Sequence, residues 1–111
     1  MRTDRYRLRD ILDAIESIER YLQQGKEAFK SDELIQVWML HYLQIIGEAA
    51  RSMSAELKTA TKHIPWESIV GFRNLVVHEY FRVDLDVVWD IVANDLPTLK
   101  LQIEKALADL K

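Results

Sequence analysis

The chain has no cysteine, so a disulfide framework and a thiolate metal site are both excluded, and an oxidising compartment gains no support. A reducing, cytoplasmic setting is expected. The three histidines, His41, His63 and His78, are too scattered to suggest zinc without thiolates, and no metal or other cofactor is expected. Three glycines and two prolines leave few helix breakers. No apolar run is long enough to span a membrane, and the basic start around Arg2, Arg5, Arg7 and Arg9 lacks the apolar stretch of a signal peptide behind it. A net charge of −3 argues against a protein that coats nucleic acid indiscriminately, so any RNA contact should be local and salt-sensitive.

What the chain does have is 49% hydrophobic and 30% charged residues in 111 positions, enough for one core and a charged exterior. Residues 1–111 read as a single all-α domain. Leu8, Ile11, Leu12, Ile15, Ile18 and Leu22 recur at three- and four-residue steps and predict a first helix, stopped by Gly25. Ser31 and Asp32 are candidate caps for a second, with a stripe from Ile35 through Trp38, Tyr42, Ile45 and Ala49 to Met53 over roughly 23 residues. Gly47 interrupts that stripe at a cost of about 1 kcal/mol, which implies close packing there. A polar connector is expected from Glu56 to His63. Pro65 fits the first turn of a third helix reaching toward Tyr80. Asp84 should cap a fourth, with a stripe from Leu85 to Leu107 that Pro97 should bend or divide. Four helices with short connections pack most simply as an antiparallel four- to five-helix bundle.

The segment from Gly71 to Phe81 carries Arg73, Asn74, His78 and Tyr80 within eight residues of a short apolar helix. A histidine near its unperturbed pKa can take the proton of a ribose 2′-hydroxyl, and an arginine can hold the phosphate and the charge that builds on it. Asn74 lies one turn before His78 and is placed to orient it. On a regular helix Arg73 and His78 diverge by roughly 140°. They meet one phosphate only if the helix end unwinds or a second subunit contributes across a groove, and we favour the second subunit. Taken alone, an Arg and a His on a helix more often mark an ordinary helix end.

Arg73, His78 and Tyr80 match an R-x-x-x-x-H-x-Y pattern, and Ile45 to Ala50, Ile64 to Trp66, Arg73-Asn74 and Val88 to Val92 accompany it in order. In these features, which cover most of the chain, the sequence resembles the HEPN superfamily and its HepT-like ribonuclease toxins. The resemblance implies a HEPN-like helical homodimer whose Arg73, Asn74 and His78 line one cleft, and endoribonuclease activity without metal on an RNA, tRNA being one substrate of such proteins. It also implies a toxin-antitoxin pairing with a minimal nucleotidyltransferase, MntA-like, that adds AMP to Tyr80. AMP there would block the cleft by bulk and like charge.

Glu48, directly after Gly47, is a supporting candidate to pair with Arg73, the alternative being a solvated glutamate. Arg82 and Arg51, with Lys58, are candidate RNA-backbone contacts, and solvated charge is the plainer account of each. Trp66 reads as a core or interface anchor before a base-stacking platform. His41 and His63 are not read as catalytic, and the arginines around Tyr6 fit a solvated helix start better than an RNA patch. The rival to a ribonuclease is a non-catalytic helical binding module that docks a minimal nucleotidyltransferase, and a plain structural dimer is the third possibility.

Overall fold

The computed structural model describes residues 2–77 and 84–110, with side chains for 3–73 and 84–110. The apolar stripes become four long elements. Helix α1 spans Arg2–Leu22, α3 spans Glu33–Arg51 and α5 spans Trp66–Val77. The fourth is a rod made of α6 (Leu85–Asp90), a π turn (Ile91–Asp95) and α7 (Leu96–Asp109). Among the described residues there is no strand. The fold is an all-α helical bundle.

Two short helices lie where none was expected, one of them in the polar connector. Gly25, with φ at 92°, ends α1 as expected but also serves as the N-cap of α2 (Lys26–Ser31). Ser31 therefore closes α2, and Asp32 alone caps α3, its side chain accepting from Leu34 N at 2.9 Å. Helix α3 ends at Arg51, before Met53, which is nevertheless buried. The polar stretch after it holds α4 (Ala55–Ala60), capped by Ser54 Oγ accepting from Leu57 N. Six-residue helices show too little of the 3.6-residue period to be recognised, and they persist because neighbours cover Phe29 and Leu57.

Pro97 does not divide the last helix. It lacks an N–H, and its ring would press on the carbonyl of Ala93 one turn back. The π turn absorbs this by widening the helix, so that Leu96 N donates to Ile91 O five residues earlier. Backbone angles stay right-handed helical at Asp90, Ile91, Asp95 and Leu96.

Leu8, Ile11 and Ile18 of α1, Met39, Leu43 and Ile46 of α3, Ile69 of α5, and Val88, Val92 and Ile103 of the rod form the fully covered centre of the core. Burying each such side chain contributes about 1.5–3 kcal/mol. Polar contacts fix the helix directions. The start of α1 meets the segment after α3 through buried Asp4, which accepts from Ser54 N at 2.9 Å and Ser54 Oγ at 2.6 Å. Toward the other end of α1, Ser17 O accepts from Trp38 Nε1 at 2.7 Å. Helices α1 and α3 are thus antiparallel. The same holds for α1 and α7, where Arg5 Nη2 donates to Leu110 O at 2.6 Å and Lys100 pairs with Glu19 at 2.9 Å.

Candidate active site

Helix α5 begins on a pinned platform. Trp66 is buried and its indole N–H donates to Thr61 Oγ1 at 3.0 Å, while the Thr61 hydroxyl donates to Leu57 O at 2.7 Å. Trp66 is thus a core anchor and not a free surface for a base. Ile69 and Phe72 continue the buried stripe, and Arg73 comes next with a third of its side chain exposed.

Gly47 explains where Arg73 sits. A Cβ at Gly47 would lie 2.8 Å from Arg73 N and 3.0 Å from Arg73 Cβ. The backbones of α3 and α5 therefore meet at this point, an approach that only a residue without a side chain allows. The next residue, Glu48, sets a carboxylate oxygen against Arg73 Nε as an ion pair without the alignment of a hydrogen bond. Both partners are substantially solvated, so the pair itself contributes under about 1 kcal/mol. Its larger effect is on direction: one edge of the guanidinium is held, which fixes how the planar group is presented.

Beside Glu48 lies an open hollow of about 330 Å³ bordered by Arg7, Asp10, His41, Gln44, Glu48 and Ser52. Arg7 is half-buried there. Its place at the same hollow as Glu48 had no local signal in the sequence, because it depends on α1 packing along α3 about forty residues away. Arg5 and Asp4 likewise do structural work through Leu110 and Ser54.

The remaining sequence candidates are distributed as follows. Asn74 lies on α5, its side chain outside the described residues, and His78, Tyr80 and Arg82 are also outside them. Arg51 ends α3 and is exposed, and Lys58 is half-buried on α4. His41 is exposed, edge-on to the Tyr42 ring at 4.8 Å, and His63 is exposed with its carbonyl accepting from Gln102. Among the described residues no group of three or more His, Cys, Asp or Glu side chains is placed to hold a metal, and no helix is long and apolar enough to cross a membrane.

Comparison with known proteins bears on what such a site does. The family model described as "Ribonuclease HepT-like" matches residues 11–106. A protein of Thermococcus cleftensis named "Probable ribonuclease HepT" is 37% identical over 99 residues, covering 88% of this chain and 90% of its own length. A Caldanaerobacter subterraneus protein whose name gives it as a candidate RNase is 32% identical over 108 residues, 96% of each chain. A gamma-glutamylcyclotransferase and candidate RNase of Methanocaldococcus jannaschii is 35% identical over 104 residues, and this chain, 93% of which is covered, spans only 47% of it. No solved structure matches the chain. With a family model covering most of its length and relatives similar from end to end, the chain belongs to the HepT-like ribonuclease family.

Proposed function

We propose that the protein is a single-domain, metal-independent endoribonuclease of the HEPN type, acting in the cytoplasm as the toxin of a toxin-antitoxin pair. What supports this reading most is the seating of Arg73, which Gly47 admits against α3 and Glu48 holds by one edge. The outer edge of its fork is the part that meets a phosphate, in the bidentate manner suited to arginine. His78, five residues on, takes the 2′-hydroxyl proton; the 2′-oxygen attacks phosphorus, the bond to the 5′-oxygen breaks, and that oxygen is protonated as it leaves. The products are a 2′,3′-cyclic phosphate and a 5′-hydroxyl. Arg73 stabilises the charge on the non-bridging oxygens, and Asn74 orients the His78 ring. A second copy completes the cleft, a reading supported by the roughly 140° that separates positions 73 and 78 on a regular helix. The substrate is RNA, with tRNA the first candidate. A minimal nucleotidyltransferase neutralises the toxin by adding AMP to Tyr80.

The experiment is cleavage of RNA by purified protein in EDTA. Wild type should leave cyclic-phosphate ends, while Arg73→Ala and His78→Ala lose about 10²-fold or more in rate and keep the helical spectrum. Dependence on added divalent metal, or equal cleavage by His78→Ala, refutes the mechanism. Co-expression with a nucleotidyltransferase followed by mass spectrometry should find AMP on Tyr80. Binding of that partner with no RNA cleavage by the unmodified protein would favour the non-catalytic module instead.

A further inference from the structure

Helix α5 meets α3 closely at Gly47, but another of its flanks leaves a gap against the rod. There a hollow of about 330 Å³ opens, with Ile69 and Phe72 of α5 and Leu99 of α7 in its lining. All three are buried, so the hollow has an apolar floor. Gln102 Nε2 donates to His63 O at 3.4 Å and bridges the two walls at the end where α5 begins. From that end the hollow runs along α5 as far as Phe72, the residue before Arg73. On a regular helix Ser68, Ile69 and Phe72 share one face, and Arg73 stands about 90° around from it. The volume lies at the lower end of ligand-sized pockets, about 300–1,000 Å³, and suits a single flat ring system.

The rim is polar and its groups are unused. Among the described residues, the side chains of Ser68, Asn94, Asp95 and Thr98 have no hydrogen-bond or ion-pair partner. Asn94 and Asp95 lie in the π turn, and such turns are frequent at functional sites. Both residue types weaken a helix interior, and Asp95, at the N-cap position of α7, makes no capping hydrogen bond. Helix formation therefore accounts for neither. No lysine or arginine stands among the described lining residues, so the hollow does not suit a phosphate. Its one carboxylate, which only accepts, calls for a neutral ligand with N–H donors.

We infer that this hollow takes one unstacked guanine of the RNA, and so sets a base preference beside the phosphate held at Arg73. Guanine carries two N–H donors side by side, at N1 and the 2-amino group, which match the two oxygens of Asp95. Its O6 and N7 accept from the Asn94 amide or from the Ser68 and Thr98 hydroxyls. Adenine and cytosine would set a ring-nitrogen lone pair against the carboxylate beside a single amino donor, and uracil has one N–H between two carbonyls. Only guanine satisfies the carboxylate twice. The ring lies over the apolar floor, in the way single-stranded RNA bases are commonly held. The choice of base stands on the lining of the hollow; its role in deciding where RNA is cut rests on the ribonuclease reading above.

The test uses the full chain and polyuridine oligonucleotides carrying one central guanosine, inosine or adenosine. Cleavage is followed in EDTA, and binding is followed by fluorescence anisotropy on 2′-O-methylated copies, which lack the attacking hydroxyl. A bidentate base contact discriminates by about tenfold, so wild type should cut beside guanosine, and bind that oligonucleotide, about tenfold better than the adenosine one. Inosine, without the 2-amino group, should fall between. Asp95→Asn keeps the shape but sets an amide against the guanine donors, and Ser68→Trp fills the hollow from an exposed position; both should bring the ratio close to one. RNA cut equally beside guanosine and adenosine, or a preference that survives both substitutions, overturns the pocket and leaves the ribonuclease reading standing. RNA bound with the guanosine preference but never cut upholds the pocket and refutes that reading. RNA neither cut nor distinguished in binding overturns both. Guanosine monophosphate that binds in preference to adenosine monophosphate, while the oligonucleotides are treated alike, assigns the hollow to a free nucleotide and overturns its place in RNA recognition.

Discussion

Adding one methyl group at Gly47 should damage catalysis far more than folding. The new Cβ would sit 2.8 Å from the backbone nitrogen of Arg73, whereas unstrained non-bonded contacts lie near 3.5 Å or more. Helix α5 must therefore retreat by about 0.7 Å at Arg73. Overpacking of this kind costs about 1–3 kcal/mol, and alanine returns about 1 kcal/mol through its better helix propensity. The net loss of stability is about 0–2 kcal/mol. A guanidinium displaced by most of an ångström loses its alignment with the phosphate, a geometric error that can cost about 10²-fold in rate. Gly71→Ala is the control, because a Cβ there meets nothing within 4 Å, and it should stabilise α5 by about 0.4–1 kcal/mol. The assay pairs thermal melts with kcat/KM on a fluorogenic RNA in EDTA. Wild-type cleavage together with an unchanged or raised Tm in Gly47→Ala would show that the α3–α5 approach does not position Arg73.

Other expectations follow from particular contacts. Glu48→Gln keeps the shape but removes the charge held against Arg73 Nε; stability should change by less than about 1 kcal/mol while cleavage falls, and equal cleavage would make the pair incidental. Phe29→Ala should cost about 3–5 kcal/mol by denaturant titration, because Phe29 is fully covered and stacks on Trp89 at 5.7 Å; a loss under 1 kcal/mol would return α2 to the status of a loose connector. Asp86 ties α6 to α2, and hydrogen bonds from Lys30 at 3.0 Å and Lys26 at 3.3 Å lower its pKa below the usual carboxylate value. A group whose pKa is lower folded than unfolded stabilises at neutral pH and loses that contribution as pH falls through the folded value. Asp86→Asn should therefore flatten the acid side of the Tm–pH curve, and a curve identical to wild type would discount the tether. Lys100 is the converse case, its pKa raised mainly by Glu19. Its contribution is complete below the unfolded lysine value and fades as pH rises through the higher folded one, so Lys100→Met should flatten the alkaline side of the same curve.

The sequence by itself determined the elements whose causes are local. Stripes at three- and four-residue spacing set α1, α3 and the rod, because a helix repeats its buried face along one stretch of chain. Asp32 and Asp84 announced the helices they cap, since a carboxylate two residues before a free N–H needs no distant partner. The chemical types at Arg73, Asn74, His78 and Tyr80 were likewise legible, as was the gap at Gly47. What occupies that gap was not. Only the packing of α5 onto α3 showed that the backbone of Arg73 fills it and that Glu48, 25 residues earlier, holds the guanidinium. Helices α2 and α4 also belong to the tertiary structure, being too short to form without the neighbours that cover Phe29 and Leu57. The same is true of the π turn, where the strain of Pro97 was absorbed inside a continuous helix. The division follows from range: periodicity and capping act within a turn or two of the chain, whereas close approach, ion pairing and burial depend on segments that meet only after the core has assembled.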